Sequence, residues 1–249
     1  MSTWREDLIR AAAALGVELT DQAMRFFEIY LNEITSANEK VNLVSVSSDS
    51  ELAVRHFADS LACIKVLPPE TASCIDIGSG AGLPGIPLKI VRPAVRMVLL
   101  ESVRKKAEFL RNVAGTLGMS DIEVLSERAE TIGQDPAHRE KYDAALSRAT
   151  APFPVAAEYT LPLVRIGGCA IIYQGTGVCE DSLESSRNAL DILGGTLANV
   201  EPYRLEPDGT ERTIVRIEKT APSAPEHPRR PGVPKKRPLT KKGERTSWA

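Results

Sequence analysis

What this chain lacks narrows it first. Its four cysteines, Cys63, Cys74, Cys169 and Cys179, form no C-x-x-C pair, and three of them sit in apolar or strand-like surroundings. That pattern speaks against a zinc site or a disulfide framework and for a reducing compartment. No apolar run approaches the roughly 20 residues needed to span a bilayer. The start, Met1-Ser2-Thr3-Trp4-Arg5-Glu6-Asp7, has neither the basic nor the apolar part of a secretory leader. A cytoplasmic protein without membrane attachment is therefore expected, and it is taken as a monomer. No internal repeat is visible. What remains is an ordinary globular composition, 43% hydrophobic and 26% charged over 249 residues, enough for one large domain with extra structure at an end.

The net charge of −2 conceals an asymmetry. Between Glu226 and Ala249 eight basic residues stand against two acidic ones, so this tail carries +6 and the preceding 225 residues −8. An acidic body with a basic tail suits a polyanionic partner met at one edge. A solvated tail with no partner has the same composition. Pro228, Pro231, Pro234 and Pro238 predict a stiff, extended segment rather than a helix.

Helical apolar spacing covers about 4–15, 20–38 and 50–66, with Thr20 and Asp21 as capping residues and Phe26, Phe27, Ile29, Tyr30 and Ile34 facing a core. From Ser73 the pattern changes to short apolar strands alternating with amphipathic helices. Strands are expected at 73–78, 96–101, 121–125, 142–147 and 169–174, and helices at about 85–92, 103–117, 154–165 and 180–194. Such alternation implies a mostly parallel sheet covered on both faces. Strand candidates 197–205 and 211–219 flank Pro207-Asp208-Gly209, a hairpin signal that makes at least one edge strand antiparallel. The fold class is thus α/β, Rossmann-like and doubly wound. The closing hairpin matches a class I methyltransferase better than a plain NAD-binding fold. Three parts are expected: N-terminal helices packed on the core (1–69), a cofactor-binding domain (70–220) and a basic Pro-rich tail (221–249).

Within that frame Cys74-Ile75-Asp76-Ile77-Gly78-Ser79-Gly80-Ala81-Gly82-Leu83-Pro84-Gly85 reads as a buried strand running into a glycine-rich turn that opens a helix. Strand, turn and helix start together suit a nucleotide-like cofactor lying on bare backbone. The dinucleotide fingerprint G-x-G-x-x-G is incomplete, because Leu83 stands where the third glycine belongs. Asp76 would face a pyrophosphate with like charge. S-adenosylmethionine has no phosphate and carries an ammonium and a sulfonium, so an acid before the glycines favours it over NAD. A turn built for packing alone would use the same glycines.

Ligands of doubly wound sheets bind outside the carboxyl ends of the strands. There Glu101, 25 residues after Asp76, is placed to accept from both ribose hydroxyls. The turn Ser126-Glu127-Arg128-Ala129-Glu130 can lie against an adenine, with Glu130 reading its edge, although acids at a helix start serve the dipole equally well. Arg148 ends the next strand, where it serves a ligand or pairs with Asp76 or Glu101. Phe153 and Tyr173 are near enough to stack on a target base, but read better as core aromatics. His56 reads better as structural than as a contact to RNA. The Asn/Asp-Pro-Pro-aromatic element of amine methylation is missing after that strand, as is a cysteine for attack on a pyrimidine. The target is therefore expected to be a nucleophile already, such as a ring nitrogen.

These residues carry a resemblance. Lys40-Val41-Asn42-Leu43, His56-Phe57-Ala58-Asp59-Ser60-Leu61, the Asp76–Pro87 run, Ser147-Arg148-Ala149 and the Pro228–Leu239 run together resemble the RsmG family, also called glucose-inhibited division protein B. The resemblance spans about Asn38 to Leu239. It implies S-adenosylmethionine as cofactor and methylation of guanine N7, position 527 in reference numbering, in the 530 loop of bacterial 16S rRNA. The substrate is then 16S rRNA or a small-subunit particle. By the same route Gly78, Leu83, Ala129, Glu130 and Arg148 match cofactor-binding positions, with Gly80 and Glu101 added from the strand-end reading. Arg229, Arg230, Lys235, Lys236 and Arg237 are the expected RNA contacts. Guanine N7 has a lone pair and no proton to remove, so no catalytic base is assigned. Two departures stand out: Glu101 where many members have Asp, and Gln174-Gly175 where many have a lysine before the glycine. A methyltransferase of small molecules or proteins, and a non-enzymatic NAD- or RNA-binding module, remain the rival readings.

Overall fold

The computed structural model describes residues 3–175, 183, 186–207 and 209–239. Cys179, part of the helix expected over 180–194, Asp208 and the basic residues Lys241, Lys242 and Arg245 lie outside them. The chain opens with α1 (Trp4–Ala14), capped by Thr3 in a reciprocal box with Glu6, and α2 (Asp21–Asn38), capped by Thr20. Asn38 then folds the following loop over itself, accepting from the Leu43 and Val44 amides and donating to the Val44 carbonyl. The third helical run is less regular than its periodicity suggests. It consists of α3 (Asp49–Leu52), a π-helical turn (Ala53–Ala58), α4 (Asp59–Leu61) and a 3-10 turn (Ala62–Lys65). Wide π turns break helical register and recur at functional sites; this one holds Arg55 and His56.

Seven strands follow: β1 (Ser73–Ile77), β2 (Arg96–Leu100), β3 (Ile122–Leu125), β4 (Tyr142–Arg148), β5 (Val164–Gln174), β6 (Gly195–Leu205) and β7 (Thr210–Lys219). Their order is β3-β2-β1-β4-β5-β7-β6. Pairs among β1 to β5 are parallel, whereas β7 pairs antiparallel with both β5 and β6. The closing hairpin thus adds two antiparallel strands by slotting its second strand beside β5. Between the strands run α5 (Gly85–Val91), α6 (Arg104–Thr116), α7 (Ala129–Ile132), α8 (Phe153–Thr160) and α9 (Arg187–Leu193).

Successive strand residues serve opposite faces, and both faces are buried, as a parallel sheet requires. Cys74, Ala144 and Leu146 belong to a core shared with Leu8, Phe27, Tyr30 and Phe57 from the N-terminal helices. Ile75, Ile77 and Ala145 belong to a second core with Phe153, Val155 and Leu193. The N-terminal helices are therefore continuous with the sheet's core. Phe57 stacks on Tyr30 with ring centroids 5.0 Å apart and meets Phe27 at 5.2 Å; such pairs add about 0.5–1.5 kcal/mol beyond their burial.

The tail corrects an expectation. Residues 221–239 do not run out stiffly; they fold back onto the sheet's second face and include a one-turn helix, α10 (Val233–Lys236), with Pro234 in its first turn, where a missing N–H costs nothing. Arg139 donates to the carbonyls of Ser223, Ala224 and His227, and Gln134 to those of Pro225 and Pro228. Lys219, fully buried, donates to Leu161 and Leu193 carbonyls and to Ser223 Oγ at the tail's root. Arg229 forks over Glu158 of α8 at 2.5 and 2.8 Å, and its backbone N–H reaches the same carboxylate. Removing this arginine leaves an unpaired carboxylate in a fully buried position, a change that costs about 3–5 kcal/mol. Denaturant unfolding of Arg229→Ala should show a loss of that size, and Glu158→Gln in the same chain should restore part of it. Equal midpoints for Arg229→Ala and the parent would show that the pair does not hold the tail.

Candidate functional site: a glycine turn between two cavities

The turn after β1 is built by positive φ angles at Gly78 (+70°), Gly80 (+58°) and Gly82 (+100°), a region in which side chains are strained. A methyl group on Gly78 would stand 2.7 Å from Thr150 Cγ2. Five of the turn's amides are occupied: Gly78 and Ser79 donate to the Leu100 carbonyl, Gly80 to Glu101 Oε2 at 2.9 Å, and Gly82 and Leu83 to the Ser79 carbonyl. From the N-terminal helices Tyr30 donates to the Ala81 carbonyl at 2.7 Å. Asp76 lies below, fully buried, with Oδ2 accepting from the Gly85 amide and Oδ1 left without a partner.

This arrangement fits S-adenosylmethionine and not a dinucleotide. A pyrophosphate needs free N–H groups converging on it; here the donors of Gly78, Ser79, Gly80, Gly82 and Leu83 are taken, and two acidic side chains, Asp76 and Glu101, stand at the turn. A cofactor without phosphate and with two positive charges meets no such conflict. Burial pushes the Asp76 carboxyl up to about 7, which puts its charge at the mercy of whatever cation lies near.

A cavity opens on one side of the turn, walled by Gly78, Leu100, Ser102, Ala129, Glu130 and Tyr159, with Lys235 of the tail at its edge. Gly78, Ala129 and Glu130 meet there as the sequence suggests. Gly80 and Leu83 hold the turn from behind, Leu83 with its side chain in the core. Glu101 is differently employed than expected: both oxygens already accept backbone amides, Gly80 on one and Val103 on the other. Its remaining lone pairs are what a ribose could use. Glu130 also departs from expectation. Its Oε1 accepts from the Gly232 amide at 2.9 Å and from Tyr159 at 3.3 Å, so the side chain anchors the tail beside the cavity rather than standing free for an adenine edge.

A second cavity of about 340 Å³ lies at the ends of β4 and β5, bounded by Arg55, His56, Asp59, Arg148, Tyr203 and Arg212. Ala149, at φ +54°, is the bend between the two: Arg148 lines this second space and Thr150 the first. Non-glycine residues held in that region cost energy and gather at functional sites. Arg148 pairs with neither Asp76 nor Glu101. Its guanidinium donates to Asp59 Oδ2 at 2.7 Å, meets His56 Nδ1 at 3.2 Å and reaches the Arg55 carbonyl. Asp59 Oδ1 accepts from Tyr203 at 2.6 Å. The sequence reading missed Asp59, Thr150, Tyr159, Tyr203 and Arg212; the run around His56 was the available signal for Asp59, while the others arrive from separate strands and turns. Phe153 is fully buried, and Tyr173, donating to the Ser60 carbonyl, is buried but contributes to the wall of this second cavity.

Among the expected RNA contacts Arg230, Lys235, Lys236 and Arg237 are exposed. Arg229 is withdrawn from that set by its ion pair with Glu158. No group of residues arranged to hold a metal occurs among the described residues, and none of their helices is long and apolar enough to cross a membrane.

Comparison with known proteins decides between the readings this geometry permits. The sequence profile described as rRNA small subunit methyltransferase G matches residues 23–206. The chain belongs to this family. Curated members called ribosomal RNA small subunit methyltransferase G include one from Pelotomaculum thermopropionicum, 43% identical over 96% of this chain and 100% of its own, and one from a Roseiflexus species, 43% identical over 93% and 98%. Members of the family are S-adenosylmethionine-dependent enzymes that methylate guanine N7 in the 530 loop of 16S rRNA. Two solved structures share the fold alone: a geranyl diphosphate methyltransferase in complex with SAM (TM-score 0.50, 12% identity, 66% of this chain and 85% of that one) and the [4+2]-cyclase SpnF (0.51, 12%, 82% and 97%). That one fold carries both names shows why the family, and not the architecture, names the reaction.

Asp76 supplies a test of the turn. Its carboxyl holds a proton in the folded chain up to about pH 7, whereas an ordinary aspartate loses it near 4. The folded state therefore binds more protons across that window, and the side chain's contribution to stability falls as pH rises from 4 through 7. Asp76→Asn has no such dependence. Its stability relative to the parent should rise by about 4 kcal/mol between pH 4 and pH 8, read by denaturant unfolding without cofactor. A difference that stays flat with pH would show that Asp76 titrates normally.

Proposed function

We propose that this chain transfers the methyl group of S-adenosylmethionine to N7 of the guanine at position 527, in reference numbering, of 16S rRNA. The observation that carries the proposal is the juxtaposition at Ala149: a phosphate-averse glycine turn with its cavity on one side, and a nucleoside-sized cavity on the other. Family membership supplies the substrate. When bound, S-adenosylmethionine supplies a methyl carbon on a sulfonium: the N7 lone pair forms the new bond as the C–S pair returns to sulfur, and no proton moves. The chain's own task is alignment, which is worth about 7–11 kcal/mol of barrier when the reacting atoms are held in line. Gly78, Ala129 and the Glu101 carboxylate are the residues that would hold the cofactor. Loop nucleotides are readily splayed out to enter such a cavity.

Action in the cytoplasm as a monomer is part of this proposal. The basic residues Arg230, Lys235, Lys236 and Arg237 are exposed, Lys235 at the wall of the cofactor cavity, and suit the phosphates flanking the target. The test is methyl transfer from labelled cofactor to small-subunit particles lacking the mark, to naked 16S rRNA and to protein extract. Label in N7-methylguanine of the 530 loop supports the proposal, and label confined to protein overturns it. The tail adds a quantitative expectation. Changing Lys235, Lys236 and Arg237 to Ala should flatten the slope of log affinity against log salt by about 2, at roughly 0.7 per single-strand phosphate contact. An unchanged slope would place the RNA footprint elsewhere.

A further inference from the structure

The cavity beyond Ala149 has a chemical bias that the reaction alone does not require. Its floor is the cluster Arg148–Asp59–His56. Asp59 offers little to a ligand, because its side chain is only 6% exposed and turns its oxygens to Arg148 and Tyr203. Arg148 is a guanidinium and has only donors. It faces His56 Nδ1, so that nitrogen must be the acceptor and the proton must sit on Nε2. Burial and the neighbouring arginine both hold His56 down, to about 4, which keeps the ring neutral and this tautomer in place. His56 is half-buried, lines the cavity, and its Nε2 has no partner among the described residues. The floor therefore presents N–H groups and no open carboxylate.

We propose that this cavity seats the target base and that the Nε2–H of His56 donates to guanine O6, making His56 a residue that selects guanine over adenine. The inference rests on the function proposed above and adds its specificity. On the edge that carries N7, guanine shows two neighbouring acceptors, N7 and O6, whereas adenine shows N7 and an amino donor. With N7 aimed at the methyl group, O6 is the atom alongside it. An adenine placed the same way would set its amino group against N–H donors, leaving polar groups unpaired on both sides. Sites that hydrogen-bond a substrate group reject analogues without it far more strongly than apolar pockets discriminate by size. His56 Nδ1, held by Arg148 from β4 and carried on the π-helical turn, fixes the ring at the joint between the N-terminal helices and the sheet.

The test varies the substrate atom and the residue together. Small-subunit particles are assembled with guanosine, inosine, 2-aminopurine or adenosine at the target position, and single-turnover methylation is followed with the parent, His56→Ala and His56→Gln. Inosine keeps O6 and N7; 2-aminopurine keeps N7 and lacks O6. The parent should methylate guanosine and inosine at similar rates and 2-aminopurine about 100-fold or more slowly. His56→Ala should slow guanosine by a comparable factor and 2-aminopurine hardly further, with S-adenosylmethionine affinity unchanged by calorimetry. His56→Gln, which retains an N–H, should recover part of the guanosine rate. Equal slowing of guanosine and 2-aminopurine by His56→Ala, or no slowing of guanosine, would overturn the assignment while leaving the proposed function intact. A parent that puts no methyl on guanine N7 would remove both.

Discussion

Glu101 and Tyr30 hold the turn on which the rest of the site depends. One closes the glycine loop from the second strand, accepting the Gly80 amide, and the other pins the Ala81 carbonyl from a helix 51 residues earlier. With Leu100 and Ser79 carbonyls taking the remaining donors named above, the loop keeps its shape without a phosphate to fill it. That is the physical difference between this turn and a dinucleotide cradle, and it follows from where hydrogen bonds end rather than from how many glycines the motif contains.

The N-terminal helices also complete the site. Asp59 and His56 come from the helical run before the sheet, Arg148 from the fourth strand and Tyr203 from the hairpin, and they meet in one hydrogen-bonded cluster. Arg148 and Asp59 are mostly buried, with side chains 13% and 6% exposed, so losing either partner would strand the other in low dielectric. The tail does a similar job on the opposite side, joining Glu130 and Glu158 to Gly232 and Arg229. The cavities on either side of Ala149 and the basic surface are thereby linked through a few polar contacts between parts far apart in sequence.

Local pattern carried the strands, their mostly parallel pairing and the hairpin, because short apolar runs alternate with amphipathic helices between turn residues. It also carried Gly78, Ala129 and Glu130 to one cavity wall and Arg148 to a cavity of its own. The partners were not legible. Arg148 near Asp76 in a sheet diagram becomes Arg148 on Asp59, because the N-terminal helices reach the strand end and no periodicity records that approach. The tail misled for a related reason: its prolines argue for extension, while Arg139, Gln134 and Glu158 supply tertiary bonds that fold it back. Glu130, read as a ligand to adenine, also accepts from the tail's own backbone through Oε1, a contact no periodicity records.

The central claim is that the turn accepts a phosphate-free cationic cofactor and refuses a dinucleotide. Calorimetric titration of the purified chain with S-adenosylmethionine and, separately, with NAD tests it most directly. Saturable binding of S-adenosylmethionine at one site per chain is expected, with no measurable heat from NAD at the same concentrations. Saturable NAD binding that S-adenosylmethionine displaces would contradict it, because the amides of this turn would then have to be free to hold a pyrophosphate.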